Sequence, residues 1–284
     1  MLRSLLLCAL LAMPTFAWAW GKTGHKVVCQ LAYDALLPEA RTELDRLLKL
    51  DSDFDNFADS CLFADTPERI REQDHYVNYP RSSRAVTTAG CQMAETCVLK
   101  AIESDSQVLS NPLASDTEKL LALKLLSHWV GDVHQPMHVS FQDDRGANSN
   151  HVNPDDEDTS LHAVWDYRIV AYNLGENYRQ IAADLSSAVS TDQIKAWQHD
   201  SPIEWANESF QISISPETRY CVQQQGACWY SSNNMLLDQG EEWRNLTIAD
   251  DYKQLHAATV ELRLQQAGIR LAQLLNKSLI NGNK

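Results

Sequence analysis

Beyond residue 19 the chain has no apolar run long enough to cross a bilayer as a helix, which takes about 20 predominantly apolar residues. Basic charge is also scarce. Against 38 Asp and Glu stand 24 Lys and Arg, a formal charge of -14. That deficit excludes a protein that grips duplex nucleic acid through a broad cationic face, because such binding rests on neutralising phosphates. It leaves phosphate substrates open, since bound metal ions invert the local field of an acidic pocket. No Cys-x-x-Cys pair is present, which excludes a zinc knuckle. Strand signals are confined to HYVNY at 75–79 and FQISIS at 210–215, and neither an internal repeat nor a linker is visible.

What is present begins with a leader. Residues 1–19, MLRSLLLCALLAMPTFAWA, hold one arginine, an apolar run, a proline and the small-residue pattern Ala17-Trp18-Ala19. This is the layout of a secretory signal peptide cleaved after Ala19. It predicts a mature domain at 20–284, secreted or periplasmic, with no membrane anchor. Cleavage would free the α-amino group of Trp20, whose reference pKa of about 7.7–8 lets it ligate a metal. His25 stands five residues away. Cys8 leaves with the leader, and the remaining six cysteines of an exported chain imply three disulfides. Cys91/Cys97 and Cys221/Cys228 can close small loops and leave Cys29 with Cys61. The spacing equally allows pairing between the two close sets.

Helix dominates the rest. Apolar periodicity predicts helices at 24–36, at 39–50 after Pro38, and at 116–135 capped by Ser115 or Asp116. Further helices are expected at 161–188, 192–209 and 250–276, with polar loops at 51–92, 139–160 and 211–245. The expectation is one mainly α domain with disulfides.

The chemistry concentrates in His128-Trp-Val-Gly-Asp132-Val-His134-Gln-Pro-Met-His138 and in Leu161-His162-Ala-Val-Trp165-Asp166. Residues i and i+4 share a helix face, which pairs His128 with Asp132 and His162 with Asp166. Gln135-Pro136 should end the first helix and let His138 turn back towards the site. His25, His75 and Asp65 complete a set of five histidines and three aspartates, which is donor chemistry suited to zinc. Asp132 is central enough to be shared between ions. One such His/Asp pair alone is commonly a salt bridge or a cap. Two pairs plus a histidine near a processed terminus favour metal. His134 is expected to face away, and His151, His199 and His256 to be surface or core-edge residues.

These motifs resemble the zinc-dependent single-strand nucleases and 3′-nucleotidases first known from fungi and plants, distant relatives of zinc phospholipase C. The resemblance covers Trp20 through His25, Ala64-Asp65, His75 through Asn78, His128 through His138 and His162 through Asp166. It continues in Trp205 through Ser209 and Ala267 through Asn276, and so spans nearly the whole mature chain. It implies a helical single domain with three Zn2+ at the bottom of a cleft. Asp65, His75, His128 and Asp132 would hold one ion, Trp20, His25 and Asp132 a second, and His138, His162 and Asp166 a third. A hydroxide shared between ions would attack phosphorus, with Asp65 orienting it and Asp132 bridging. Single-stranded DNA and RNA would yield 5′-phosphates, and 3′-mononucleotides would lose phosphate. No stable protein partner is implied.

The chain departs from the family pattern at Phe63, where a Trp is usual, and at Gly146-Ala147-Asn148, where Gly-Gly-Asn is common. Glu68 occupies the place of a phosphate-facing Arg, leaving Arg69 or Arg71 as substitutes. Arg69, Asn78 and Asn148 are the candidate substrate contacts, and Phe63, Tyr76, Tyr79 and Phe141 the aromatic candidates for base stacking. Two other readings are a zinc phospholipase C, which typically ends its last pair as His-x-x-x-Glu, and a secreted binding protein whose zincs only brace the helices. With Cys29 one turn after His25 and Cys61 four residues before Asp65, ligands of neighbouring ions would draw those two cysteines together.

Overall fold

The computed structural model describes residues 20–88, 90–152, 159–198, 200–224, 227–229 and 244–281. The leader expected at 1–19 and His199 lie outside the described residues.

The chain is built around one buried helix. After α1 (Lys22–Asp34), α2 (Pro38–Leu48), α3 (Phe57–Ser60) and α4 (Val98–Ser110) comes α5 (Asp116–His134). A reciprocal capping box between Ser115 and Glu118 opens α5 and satisfies donors at its first turn. From Ala122 to His134 every residue of α5 is buried, as expected of a helix surrounded by others. The layers around it continue with α6 (Leu161–Ala163), α7 (Ile169–Asn173), α8 (Tyr178–Ser187), α9 (Thr191–Trp197), α10 (Pro202–Ser213), α11 (Tyr252–Leu255) and α12 (Ala257–Asn281). Helix α12 packs tightly on α1 because Gly268 has no side chain: a Cβ there would lie 2.4 Å from Leu31 Cβ.

Strands are short. β1 (Val77–Tyr79) runs parallel to β2 (Val139–Phe141), with Val77 opposite Val139. β3 (Asn150–Val152) pairs parallel with β6 (Arg244–Leu246), and β4 (Val222–Gln224) pairs antiparallel with β5 (Ala227–Trp229). The first pair matters most. It sets His75 and His138, which precede the two strands, side by side. Among the described residues no helix is long and apolar enough to cross a membrane.

Three expectations need correction. The stretch 210–215 is not a strand: α10 runs through Ser213. Its alternation of Phe210, Ile212 and Ile214 with polar residues mimics period two, but the serines are buried against main-chain carbonyls. Ser209 Oγ donates to Val133 O at 2.6 Å, and Ser213 Oγ donates to Pro136 O. The expected helix 161–188 breaks after Asn173, and 192–209 divides between α9 and α10. The region before 116 holds α4, whose buried face includes Asp105 among its apolar residues and so hides the stripe.

Disulfides join Cys29 to Cys61, Cys91 to Cys97 and Cys221 to Cys228. The first ties α1 to the segment after α3 across 32 residues. Closing a loop of that length stabilises by about 4 kcal/mol in the chain-entropy model. Replacing both Cys29 and Cys61 with Ala is therefore expected to lower unfolding stability by up to about that amount. Denaturant titration at neutral pH measures it, and a change under about 0.5 kcal/mol contradicts the estimate.

Candidate metal centre

Helix α5 delivers His128 and Asp132 one turn apart, and its C-terminal exit swings His138 back to the same side. The exit is fixed by side chains that satisfy carbonyls left over at a helix end. Besides Ser209 and Ser213, Arg263 Nε donates to His134 O at 3.2 Å. Gln135 accepts from Met137 N at 2.5 Å and donates from Nε2 to Asp166. Asp166 and His162 lie on a helical stretch whose middle, Val164–Arg168, is π-wound, a local widening often found at functional sites. Gly21 N donates to Asp166 O at 2.8 Å, fastening the residue after Trp20 to this turn, and Trp20 itself is fully buried.

Three groups have potential ligand atoms within 4.8 Å of one another: His25, Asp65 and His128; His75, His128 and Asp132; His138, His162 and Asp166. Asp132 lies between them. Its Oδ1 is 3.3 Å from His25 Nε2, while its Oδ2 is 3.1 Å from His75 Nδ1 and 3.4 Å from His128 Nε2. His162 Nε2 is 3.3 Å from Asp166 Oδ2. Two ligands about 2.0–2.1 Å from one tetrahedral zinc are separated by about 3.3 Å, which these pairs match. Asp65 stands 3.7 Å from both His75 and His128, and His138 stands 3.8 Å from Asp166.

Hydrogen bonding decides what those nitrogens offer. His128 Nδ1 faces Cys61 O at 2.7 Å, His138 Nδ1 faces His75 O at 2.6 Å, and His162 Nδ1 faces Gly146 O at 2.6 Å. His75 Nε2 faces Ile70 O at 3.1 Å. A carbonyl only accepts, so each ring places its one proton there and turns a lone pair inward. His75 Nδ1 and His128 Nε2 then face each other at 3.2 Å as two acceptors, a repulsive contact that a cation relieves. Both oxygens of Asp132, both ring nitrogens of His25, and His138 Nε2 have no hydrogen-bond partner among the described residues. This donor set fits divalent metal.

Electrostatics agree. Burial, reinforced by neighbouring imidazoles, holds His25, His75 and His138 well below the usual imidazole range, and burial also lowers His128. Burial and then the charge of Asp65 push the Asp132 carboxyl well up, while burial raises Asp166. Without cations the centre favours neutral rings and a protonated central acid. Divalent charge reverses that preference for the acids.

A cleft of about 680 Å³ opens beside His138 and His162. Arg69, Asn78 and Asn148 all line it. Arg69 Nε lies 3.3 Å from Asp65, and Asn78 Oδ1 is buried without a hydrogen-bond partner. Asn148 Nδ2 donates to Arg145 O at 2.8 Å. Arg71 is excluded as a phosphate contact, since Asp74 and Asp105 engage its guanidinium at 2.5 and 2.8 Å. Of the four aromatic candidates only Tyr76 lines the cleft. Tyr79 and Phe141 are core residues packed on Phe210, and Phe63 lies under the Lys124 ammonium at 4.0 Å. His134 faces away from the centre, accepting from Arg270 at 3.0 Å, and His256 is buried against Trp165.

Sequence reasoning missed Gln135 as a brace for Asp166, and Asp105, which accepts the Trp129 indole at 2.7 Å under the edges of His75 and His128. A buried polar side chain beside a ligand motif was the available signal. Gly131 is required by proximity, because a Cβ there would stand 2.7 Å from His25 Nδ1. Gly131→Ala is expected to leave helix content unchanged and weaken divalent-metal binding at least tenfold by displacing that ring. Circular dichroism with metal titration tests it, and wild-type affinity in the variant contradicts it.

A family model described as S1/P1 nuclease matches residues 20–280, beginning at Trp20. Endonuclease 4 of Arabidopsis thaliana is 31% identical over 278 residues, 92% of this chain and 89% of that protein. Endonuclease 5 of the same plant is 30% identical, with 92% and 90% covered. Nuclease S1 of Aspergillus oryzae is 26% identical, with 94% of each chain covered. With its three His/Asp groups gathered in one buried centre and this match over nearly all its described length, the chain belongs to the S1/P1 nuclease family.

Proposed function

We propose that this chain is an exported zinc-dependent phosphodiesterase that cuts P–O3′ bonds in single-stranded DNA and RNA, leaving 5′-phosphates, and removes phosphate from 3′-mononucleotides. The observation that carries the reading is Asp132, which turns one oxygen to His25 and the other to His75 and His128, buried behind the cleft that His138 and His162 border. Three zinc ions would be held by Asp65, His75, His128 and Asp132, by Trp20, His25 and Asp132, and by His138, His162 and Asp166. Bound zinc supplies Lewis acidity and a water acidified towards neutral pH.

The protein's own groups do the rest. Asp65, paired with Arg69, would take a proton from the attacking water as its oxygen bonds to phosphorus, and the 3′ oxygen would leave as the P–O3′ bond breaks and take its proton from solvent. Arg69 balances that carboxylate and faces the phosphate. The unpartnered Asn78 Oδ1 accepts from an amino-bearing base edge, and Tyr76 offers a stacking face. The cleft is recessed, so a flexible strand reaches its floor at little cost while a duplex must first unstack. Asp166, rather than Glu, ends the last pair, which separates this chain from the phospholipase C pattern. An accessible third group argues against zincs that merely brace helices.

Zinc-loaded protein is expected to hydrolyse single-stranded DNA at least tenfold faster than duplex at equal ionic strength, and 3′-AMP far faster than 5′-AMP. Turnover of phosphatidylcholine in their place identifies a lipase, and no turnover of any of them leaves the brace reading. Asp132→Asn should cut bound zinc from three ions to one and activity by more than a hundredfold, while His134→Gln keeps all three. Mass spectrometry for metals decides, and one zinc in the unsubstituted protein overturns the trinuclear assignment.

The mature chain is expected to begin at Trp20, with residues 1–19 removed as a signal peptide. Intact mass of exported protein reads this directly. A form extended by one residue at that end carries an amide in place of the amine and should lose the second zinc. Full zinc content in the extended form contradicts the terminal-ligand role.

A further inference from the structure

We propose that Arg145 is a specificity residue that holds a second phosphate of the bound strand, next to the reacting one, on the lip of the cleft. This rests on the nuclease reading above and extends it from a reacting phosphate to a polymer.

Arg145 lines the same cleft as His138 and His162, yet no hydrogen bond or ion pair engages its guanidinium among the described residues. That is unexpected, because Asp143 and Asp144 precede it directly. The reason is Arg81. Its Nε lies 3.0 Å from each oxygen of Asp143, and its Nη2 donates to Asp144 Oδ2 at 2.8 Å. Asp144, fully buried, also accepts from Tyr220 OH at 2.6 Å, Ala147 N at 3.0 Å and Asn150 Nδ2 at 2.9 Å. Arg81 thus takes up both neighbouring carboxylates, Asp143 at the surface and Asp144 within, and the third charge of the run is left to solvent.

The backbone holds that charge in place. Arg145, Gly146 and Ala147 have φ of 56°, 66° and 65°, three successive residues in the left-handed region. For the two with a Cβ this is disfavoured, and it persists only where surroundings impose it. Here they do: Arg145 N donates to Gln142 O at 3.0 Å, Asn148 holds Arg145 O, and Gly146 O receives His162. The same turn therefore sets a ligand of the third group and a cation beside it. Arg69, by contrast, has its Nε 3.3 Å from Asp65 and serves the reacting phosphate.

Glu68 and Glu72 also line the cleft as exposed acids, so a polyanionic backbone is accepted there only where a cation such as Arg145 meets it. Tyr76 and Asn78 line the same cleft and are left for the bases. A mononucleotide has no second phosphate, so it does not use Arg145.

The test compares zinc-loaded wild type with Arg145→Gln and Arg145→Lys, all three retaining a Cβ and hence the same turn. Binding of a phosphorothioate oligothymidylate is followed by fluorescence anisotropy from low to moderate salt. Arg145→Gln is expected to weaken binding about fivefold to tenfold and to flatten the slope of log K against log salt by about 0.7. Arg145→Lys should restore most of the slope. In kinetics, KM for a tetranucleotide should rise by a similar factor with kcat within twofold, and 3′-AMP hydrolysis should not change. An unchanged salt slope and KM overturn the proposal. Equal losses on 3′-AMP overturn it too, by placing Arg145 at the reacting phosphate or in the support of His162. A wild type that neither binds nor cuts the strand sinks the nuclease reading and this assignment together. A wild type that does both, matched by Arg145→Gln, sinks this assignment alone.

Discussion

The centre is governed by lone pairs that have nowhere else to go. Five imidazoles and three carboxylates converge in a volume with almost no water access, and four of the rings have already given their N–H to main-chain carbonyls. What remains pointing inward is acceptor against acceptor, as between His75 and His128. Such an arrangement is unfavourable in a dry interior unless positive charge is supplied. The fold is therefore organised to hold the carbonyls still, since these decide which nitrogen each ring presents. Cys61 O is anchored by the bond from Cys29, His75 O by the pairing of β1 with β2, and Gly146 O by the left-handed turn.

Much of the remaining structure supports the exit of α5. Two arginines of α12, Arg263 and Arg270, are fully enclosed and share the carboxylate of Glu208 from α10. Burial lowers Arg263 to about 10, with Glu208 opposing that shift. Breaking such a network from one side leaves a buried charge unpaired, which costs several kcal/mol. The late motifs around Trp205 and Arg270 read in this light as braces. Ser209 and Arg263 close carbonyls at the end of α5, and Arg270 steers His134 out of the metal-facing set.

Legibility in the sequence followed locality. The pairs His128/Asp132 and His162/Asp166 are visible because helical spacing alone puts them together, although the π-winding through Asp166 is not. The family motifs pointed to His25, Asp65 and His75, which the structure brings within a few ångströms of α5. The tertiary partners were hidden. Nothing near Asp105 in the chain announces Trp129, and nothing near Arg81 announces Asp143 and Asp144. Buried polar residues also misled the periodicity, making α10 look like a strand at its end and obscuring α4. The left-handed conformation of Ala147 shows in the sequence only through the glycine common at that place in the family pattern, and here Asp144, accepting from Ala147 N, holds it.

Depth within the centre is graded. His25, His75, His128 and Asp132 are sealed from solvent, whereas His162 keeps 6% of its surface exposed and borders the cleft together with His138. Among the described residues, a divalent ion entering from the cleft would meet the His138, His162 and Asp166 group first, and ions behind it would exchange only after that threshold clears. A ligand lying in the cleft would close the same path. Chelation of a loaded centre would then run in sequence, a fast outer step before slow inner ones.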